Sequence, residues 1–222
     1  MFTHPRHLQL VLLVLAVLAS PLAPSAGQLA ARSTSATSPS VEPVANIGGR
    51  IDAIAFRGTF AFAGEGATLS VLDIHDPAHP SRLAYLRLPS VVRDLKLLGN
   101  LAYITTRNHG LQIADVSVPA YPVLVGSYMV PGYATAVDVA GNMAYVSVMI
   151  DSFGNSAIYI LDLANPIAPT LRSSFPLHSP GIVSQAVGHV LYISTSQSLR
   201  IMDVQNPSAP RLLSDFALPA RP

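Results

Sequence analysis

A twelve-residue pattern written four times constrains this chain more than any other feature. It reads LSVLDIHDPAHP from Leu69, LQIADVSVPAYP from Leu111, IYILDLANPIAP from Ile158 and LRIMDVQNPSAP from Leu199. In each copy an apolar run meets an aspartate, one more apolar residue follows, and Pro-x-x-Pro closes the segment. The aspartates fall at 73, 115, 162 and 203, so successive copies are 42, 47 and 41 residues apart. A period of that length, made of short β-like segments, marks a repeat array whose units gain stability from their neighbours.

Each unit from Val44 onward divides into four strand-like runs, rich in β-branched and aromatic residues and bounded by Gly, Pro, Asn or Asp. In the second unit these are Val92–Leu98, Leu101–Thr105, Leu111–Val116 and Val123–Val130. No stretch beyond residue 27 carries a 3.6-residue apolar period. The predicted fold is therefore all-β and β-propeller-like: four repeats of about 42 residues, each a four-stranded antiparallel blade. The first two strands of each unit meet at Gly58-Thr59, Gly99-Asn100, Gly141-Asn142 and Gly188-His189, where glycine supplies the positive φ of a tight hairpin.

The repeat aspartates Asp73, Asp115, Asp162 and Asp203 are expected to fold their carboxylates back onto backbone N–H groups of the following turn. Pro77, Pro119, Pro166 and Pro207 then fix φ and stop the strand. The competing reading, a metal or acid–base cluster, fails on placement, because one aspartate per repeat is spread around the array rather than gathered.

LSVLD, LQIAD, IYILD and LRIMD, each followed by its proline pair, resemble the bacterial LVIVD repeat, and GNLAYIT and GNMAYVS resemble the strand that precedes it. The resemblance runs over about residues 44–219 and implies an exported protein of β-propeller fold. It carries no catalytic motif to transfer. A propeller of such units ordinarily uses more than four blades, so closure is open to two readings. One is a tight four-bladed ring, slightly favoured, with Val41–Ile47 as a loose remnant strand; the other is an open half-ring that pairs into an eight-bladed homodimer.

Ahead of the repeats, residues 1–27 read as a signal peptide. His4, Arg6 and His7 precede an apolar run from Leu8 to Leu18, and small residues offer cleavage after Ala19 or Ala26. That run is about half the ~20 residues a spanning helix needs. Residues 28–43 (QLAARSTSATSPSVEP) form a Ser/Thr/Pro-rich linker with no apolar period. The domain organisation is thus signal 1–27, linker 28–43 and repeat domain 44–222, with secretion to a periplasmic or extracellular location and no membrane span after signal removal.

Charge narrows the partners. Residues 42–222 hold eleven basic and twelve acidic residues, so the body lacks the basic field that nucleic acid requires. Cysteine is absent, which removes disulfides and thiolate metal sites. No G-x-S-x-G elbow or Walker loop is present. His75 and His79 are four apart, but Pro77 and Pro80 prevent the helix that would align them on a metal. No catalytic residue, metal ligand or cofactor is assigned.

In a propeller, loops after the second strand and those between units share one face. That face carries the variable segments, and the candidate binding residues are Arg107, Asn108, His109, Asp151, Phe153, Asn155 and His178. The six residues Asp151–Ser156 account for the longer third spacing. The pattern points to an exported, non-enzymatic interaction module for a protein or glycan. The alternative is a propeller hydrolase or lactonase with its site at the axis. There the chain places Asp52, Arg93 and Asp94 but only Thr135 and Ile182 from the later units.

Overall fold

Sixteen strands form in the structure, a computed structural model that describes residues 50–151, 154–177 and 181–218. Blade 1 holds β1 (Ile51–Arg57), β2 (Phe60–Glu65), β3 (Thr68–Asp73) and β4 (Ser81–Arg87). Blade 2 holds β5 (Val92–Leu98), β6 (Leu101–Thr106), β7 (Gly110–Asp115) and β8 (Val123–Tyr128). Blade 3 holds β9 (Tyr133–Ala140), β10 (Met143–Met149), β11 (Ser156–Asp162) and β12 (Thr170–Pro176). Blade 4 holds β13 (Gly181–Val187), β14 (Val190–Thr195), β15 (Ser198–Asp203) and β16 (Arg211–Ala217). Each blade is one antiparallel sheet with its strands in chain order.

The turn chemistry sets these boundaries. Gly58, Gly99, Gly141 and Gly188 all take φ between 56° and 60°, as the hairpins between first and second strands require. At the end of each third strand a carboxylate caps the turn. Asp73 accepts from His75 N–H (2.8 Å), Asp115 from Ser117 (2.7 Å), Asp162 from Ala164 (2.7 Å) and Asp203 from Gln205 (2.9 Å). The prolines sit second in turns closed by His79 N–H to Asp76 C=O, Tyr121 to Val118, Ala168 to Asn165 and Ala209 to Asn206. Their fixed φ suits that position.

The residue after each aspartate was expected inside the strand but lies one step beyond it. Ile74, Val116, Leu163 and Val204 still bond back to the neighbouring hairpin, through N–H groups given to Thr59, Asn100, Asn142 and His189 carbonyls. Each blade also carries a register shift between its third and fourth strands, at Val71/Leu72, Ile113/Ala114, Ile160/Leu161 and Ile201/Met202. Such bulges add local twist.

Apolar faces of successive blades make the core. Phe62, Leu69 and Val71 of blade 1 lie against Val92, Leu95 and Ile104 of blade 2. Tyr103, Leu111 and Ile113 of blade 2 meet Val137, Val146 and Leu161 of blade 3. Tyr145, Ile158 and Ile160 of blade 3 meet Leu191, Ile193 and Met202 of blade 4. Burying one such Leu, Ile or Phe side chain contributes about 1.5–3 kcal/mol. These residues, rather than the hairpins themselves, hold the array together.

First strands pack in series, β1 on β5, β5 on β9 and β9 on β13, but no packing of that kind joins β13 to β1. The blades therefore stand as an open array among the described residues, not as a tight four-bladed ring. On the outer side of blade 1, Ala61, Ala63 and Leu72 form a small buried cluster beside Ile74. Val41–Ile47, the remnant strand expected from the sequence, lies outside the described residues.

Candidate functional site

Antiparallel order within each blade sends the loops after second strands, and the segments between blades, to one face. On that face, at the junction of blades 2 and 3, Arg93, Arg107, Tyr133, Ala134, Thr135 and Met149 line a cleft of about 170 Å3. Arg93 comes from the start of β5 and Arg107 from the residue after β6. Tyr133–Thr135 open β9, and Met149 ends β10.

Local structure fixes Arg107. The backbone N–H of Arg107 bonds the Val91 carbonyl at 2.8 Å, which ties the loop to the segment before β5. Its guanidinium lies 5.0 Å from the centroid of the Tyr133 ring, a cation–π geometry that orients the planar fork. Behind it, Gln112 is buried and donates through Nε2 to the carbonyls of His109 (2.7 Å) and Leu111 (3.1 Å). Gly132 enters β9 at φ 99°, where a Cβ would run into the Met149 carbonyl oxygen. Only glycine lets the segment between blades pass that close.

Neither Arg93 nor Arg107 has a carboxylate partner among the described residues, whereas Arg82, Arg172 and Arg200 are paired with Glu65, Asp162 and Asp215. These two guanidiniums line the cleft together with a tyrosine ring and a threonine. Their forked donors match the two oxygens of a carboxylate, or of a sulfate or phosphate.

Other candidates fall differently. Asn108 and His109 are exposed at the tip of the Arg107 loop. Asp151 accepts from Asn155 through the Asn155 backbone N–H (3.1 Å) and Nδ2 (2.6 Å), so these two residues are tied to each other. Asn155 also lines a shallow apolar hollow with Ile150, Phe175 and Pro176. Phe153 and His178 lie outside the described residues. His79 Nδ1 meets the Asp76 carboxylate at 2.7 Å in an exposed turn, and that contact holds the Asp76 carboxyl below its usual range.

The carboxylates of the inner strands are engaged. Asp94 accepts from Leu95 N–H (2.8 Å) and from Val137 N–H of the next blade (2.9 Å). Asp138 accepts from Ala186 N–H (2.6 Å), again across a blade junction, with Lys96 Nζ 3.6 Å away. Asp52 pairs with Arg50 at 2.8 Å. Asp138 was not among the candidate residues. It sits mid-strand in an apolar run, and nothing nearby in sequence signals that its partner lies 48 residues on.

Four antiparallel four-stranded blades packed in series define a β-propeller repeat protein. The chain belongs to the LVIVD repeat family, whose model matches residues 48–84, 91–130, 131–176 and 185–217. Among solved structures it is similar to the computationally designed Ika4 protein, with TM-score 0.59 and 15% identity over 74% of this chain and 98% of that one. It is also similar to the β-propeller domain of Myceliophteria thermophila Cps50 (Swd1), with TM-score 0.55 and 16% identity over 75% of this chain and 58% of that one. The designed Ika8 protein matches with TM-score 0.54 and 14% identity over 76% of this chain, which spans 46% of Ika8. No curated protein matches the chain.

Proposed function

We propose that this protein is an exported, non-enzymatic interaction module that seats an anionic group of a protein or glycan on its variable-loop face. The observation that carries the reading is the cleft in which Arg93 and Arg107 stand beside Tyr133 without a carboxylate partner among the described residues. The engagement of Asp94 and Asp138 by backbone N–H groups favours binding over a hydrolase or lactonase site at the axis, since general acid–base work needs carboxylates free to reach substrate. Export rests on the signal-like residues 1–27. Calorimetric titration with oligogalacturonate, a carboxylated glycan, and with an acidic peptide is the test. Binding of one of them is expected to weaken at high salt and to fall at least tenfold in Arg93→Ala/Arg107→Ala. A double variant that binds as tightly as the parent, or no binding of either probe, overturns the proposal.

A further inference from the structure

We infer that two copies of this chain close into one eight-bladed ring, each laying the open face of its fourth blade on the first strand of the other. The blade interface already occurs three times within the chain; blade 4 presents its covering half unmatched, and blade 1 presents the β1 part of the receiving half.

The matching is positional. Counting four residues past each hairpin glycine gives Phe62, Tyr103, Tyr145 and Tyr192; the first three are 4% exposed or less, whereas Tyr192 is 38% exposed. Eight residues past the second turn proline come Leu88, Val130, Leu177 and Leu218; the first three stay at 7% or below, and Leu218 reaches 46%. Leu199 and Ile201 are half-buried where their equivalents Leu69, Leu111, Ile158, Val71, Ile113 and Ile160 are fully enclosed. Blade 4 thus carries the residues that cover a next blade, with no next blade on them.

The other end shows the reverse. Four residues before the hairpin glycine stand Ile54, Leu95 and Val137, of which Leu95 and Val137 are enclosed and Ile54 is 49% exposed. Phe56, at the place of the packed Leu97 and Val139, is also exposed. The seat is the β1 side of this face, because Ala61, Ala63 and Leu72 farther out are already buried. Polar groups match too. Gln185 occupies the register place of Asp138, and the N–H of Phe56 that of Ala186, the pair bonded between blades 3 and 4. A second copy supplies one end of each kind, so two copies satisfy both ends and the head-to-tail contact closes. Apolar surface of this kind left uncovered is a docking surface.

Two measurements on the full chain test this. Light scattering over a hundredfold dilution is expected to give twice the chain mass throughout, and Tyr192→Asp/Leu218→Asp to give the single-chain mass with its melting temperature retained. In Phe56→Cys/Gln185→Cys, the only thiols in a cysteine-free chain, oxidation is expected to yield a covalent dimer, and neither single variant to do so. A single-chain mass with two free thiols overturns the inference. So does a single chain with an internal disulfide, which means the four blades close on themselves, or an open series of higher oligomers, which means the contact does not close at two.

Discussion

Asp138 on β9 accepts a hydrogen bond from the backbone N–H of Ala186 on β13, 2.6 Å away, and so joins two blades that share no strand pairing. Asp94 does the same for Val137 one junction earlier. Between blades 1 and 2 the direction reverses, with Arg57 donating to the carbonyls of Gly99 (3.0 Å) and Val116. Each apolar core between blades is therefore flanked by a polar link to the main chain of the next blade.

Removing one link should loosen one junction. Asp138→Ala leaves the Ala186 N–H without its acceptor in a site closed to most water, a loss of about 1–3 kcal/mol. Urea unfolding checks it, and Asp138→Asn, which keeps an acceptor oxygen, is expected to recover part of the loss. Equal stability of Asp138→Ala and the parent would mean the bond contributes nothing.

Two glycines with positive φ should respond unequally to alanine. At Gly99 (φ 58°) a Cβ meets open space, so Gly99→Ala carries only backbone strain of about 1 kcal/mol. At Gly132 (φ 99°) the Cβ also meets the Met149 carbonyl, so Gly132→Ala is expected to cost more and to disturb the cleft. Thermal melts of the two variants should rank them in that order.

Acid should destabilise the protein through its turn carboxylates. The Ser117 N–H holds Asp115 below the usual carboxylate range, and the Ala164 N–H, with Arg172, does the same for Asp162. In a pair of states where folding depresses the pKa, the unfolded chain takes up protons first. The contribution is complete above the unfolded value of about 4 and fades as pH falls through the lower folded value. Melting temperature is expected to hold from pH 7 to about 5 and drop below that. Asp115→Asn/Asp162→Asn keeps an acceptor without a titrating group and should show a shallower drop.

Processing of the N-terminus is open to mass spectrometry. Protein recovered outside the cytoplasm is expected to begin between Ser20 and Gln28, after the apolar run of Leu8–Leu18. Recovery of an intact Met1–Leu18 segment there would instead indicate an anchor.

Much of the architecture was legible because its punctuation is local. Hairpin glycines and the Asp and Pro of each turn act on neighbours within five residues, so the repeat pattern places the four strands of the second unit to within two residues. Arg107 was legible as a loop residue on the variable face, and Arg93 as the start of an inner strand. Their meeting was not, because Tyr133 and Met149, which complete the cleft, arrive from the next blade. Asp94 and Asp138 were opaque for the same reason, their acceptor roles being fixed by backbone 43 and 48 residues away. Openness at the ends is a property of packing between blades 1 and 4, and no local signal encodes it.

Because Asp94 and Asp138 grip main-chain N–H groups, the receiving blade needs no matching side chain at those points. Any strand of the right curvature answers, whatever its letters. A tandem copying error in the gene that duplicates the second or third unit would then carry that polar link along with it. Blade number in such a lineage can change in a single genetic step, ahead of any refinement of the apolar residues around it.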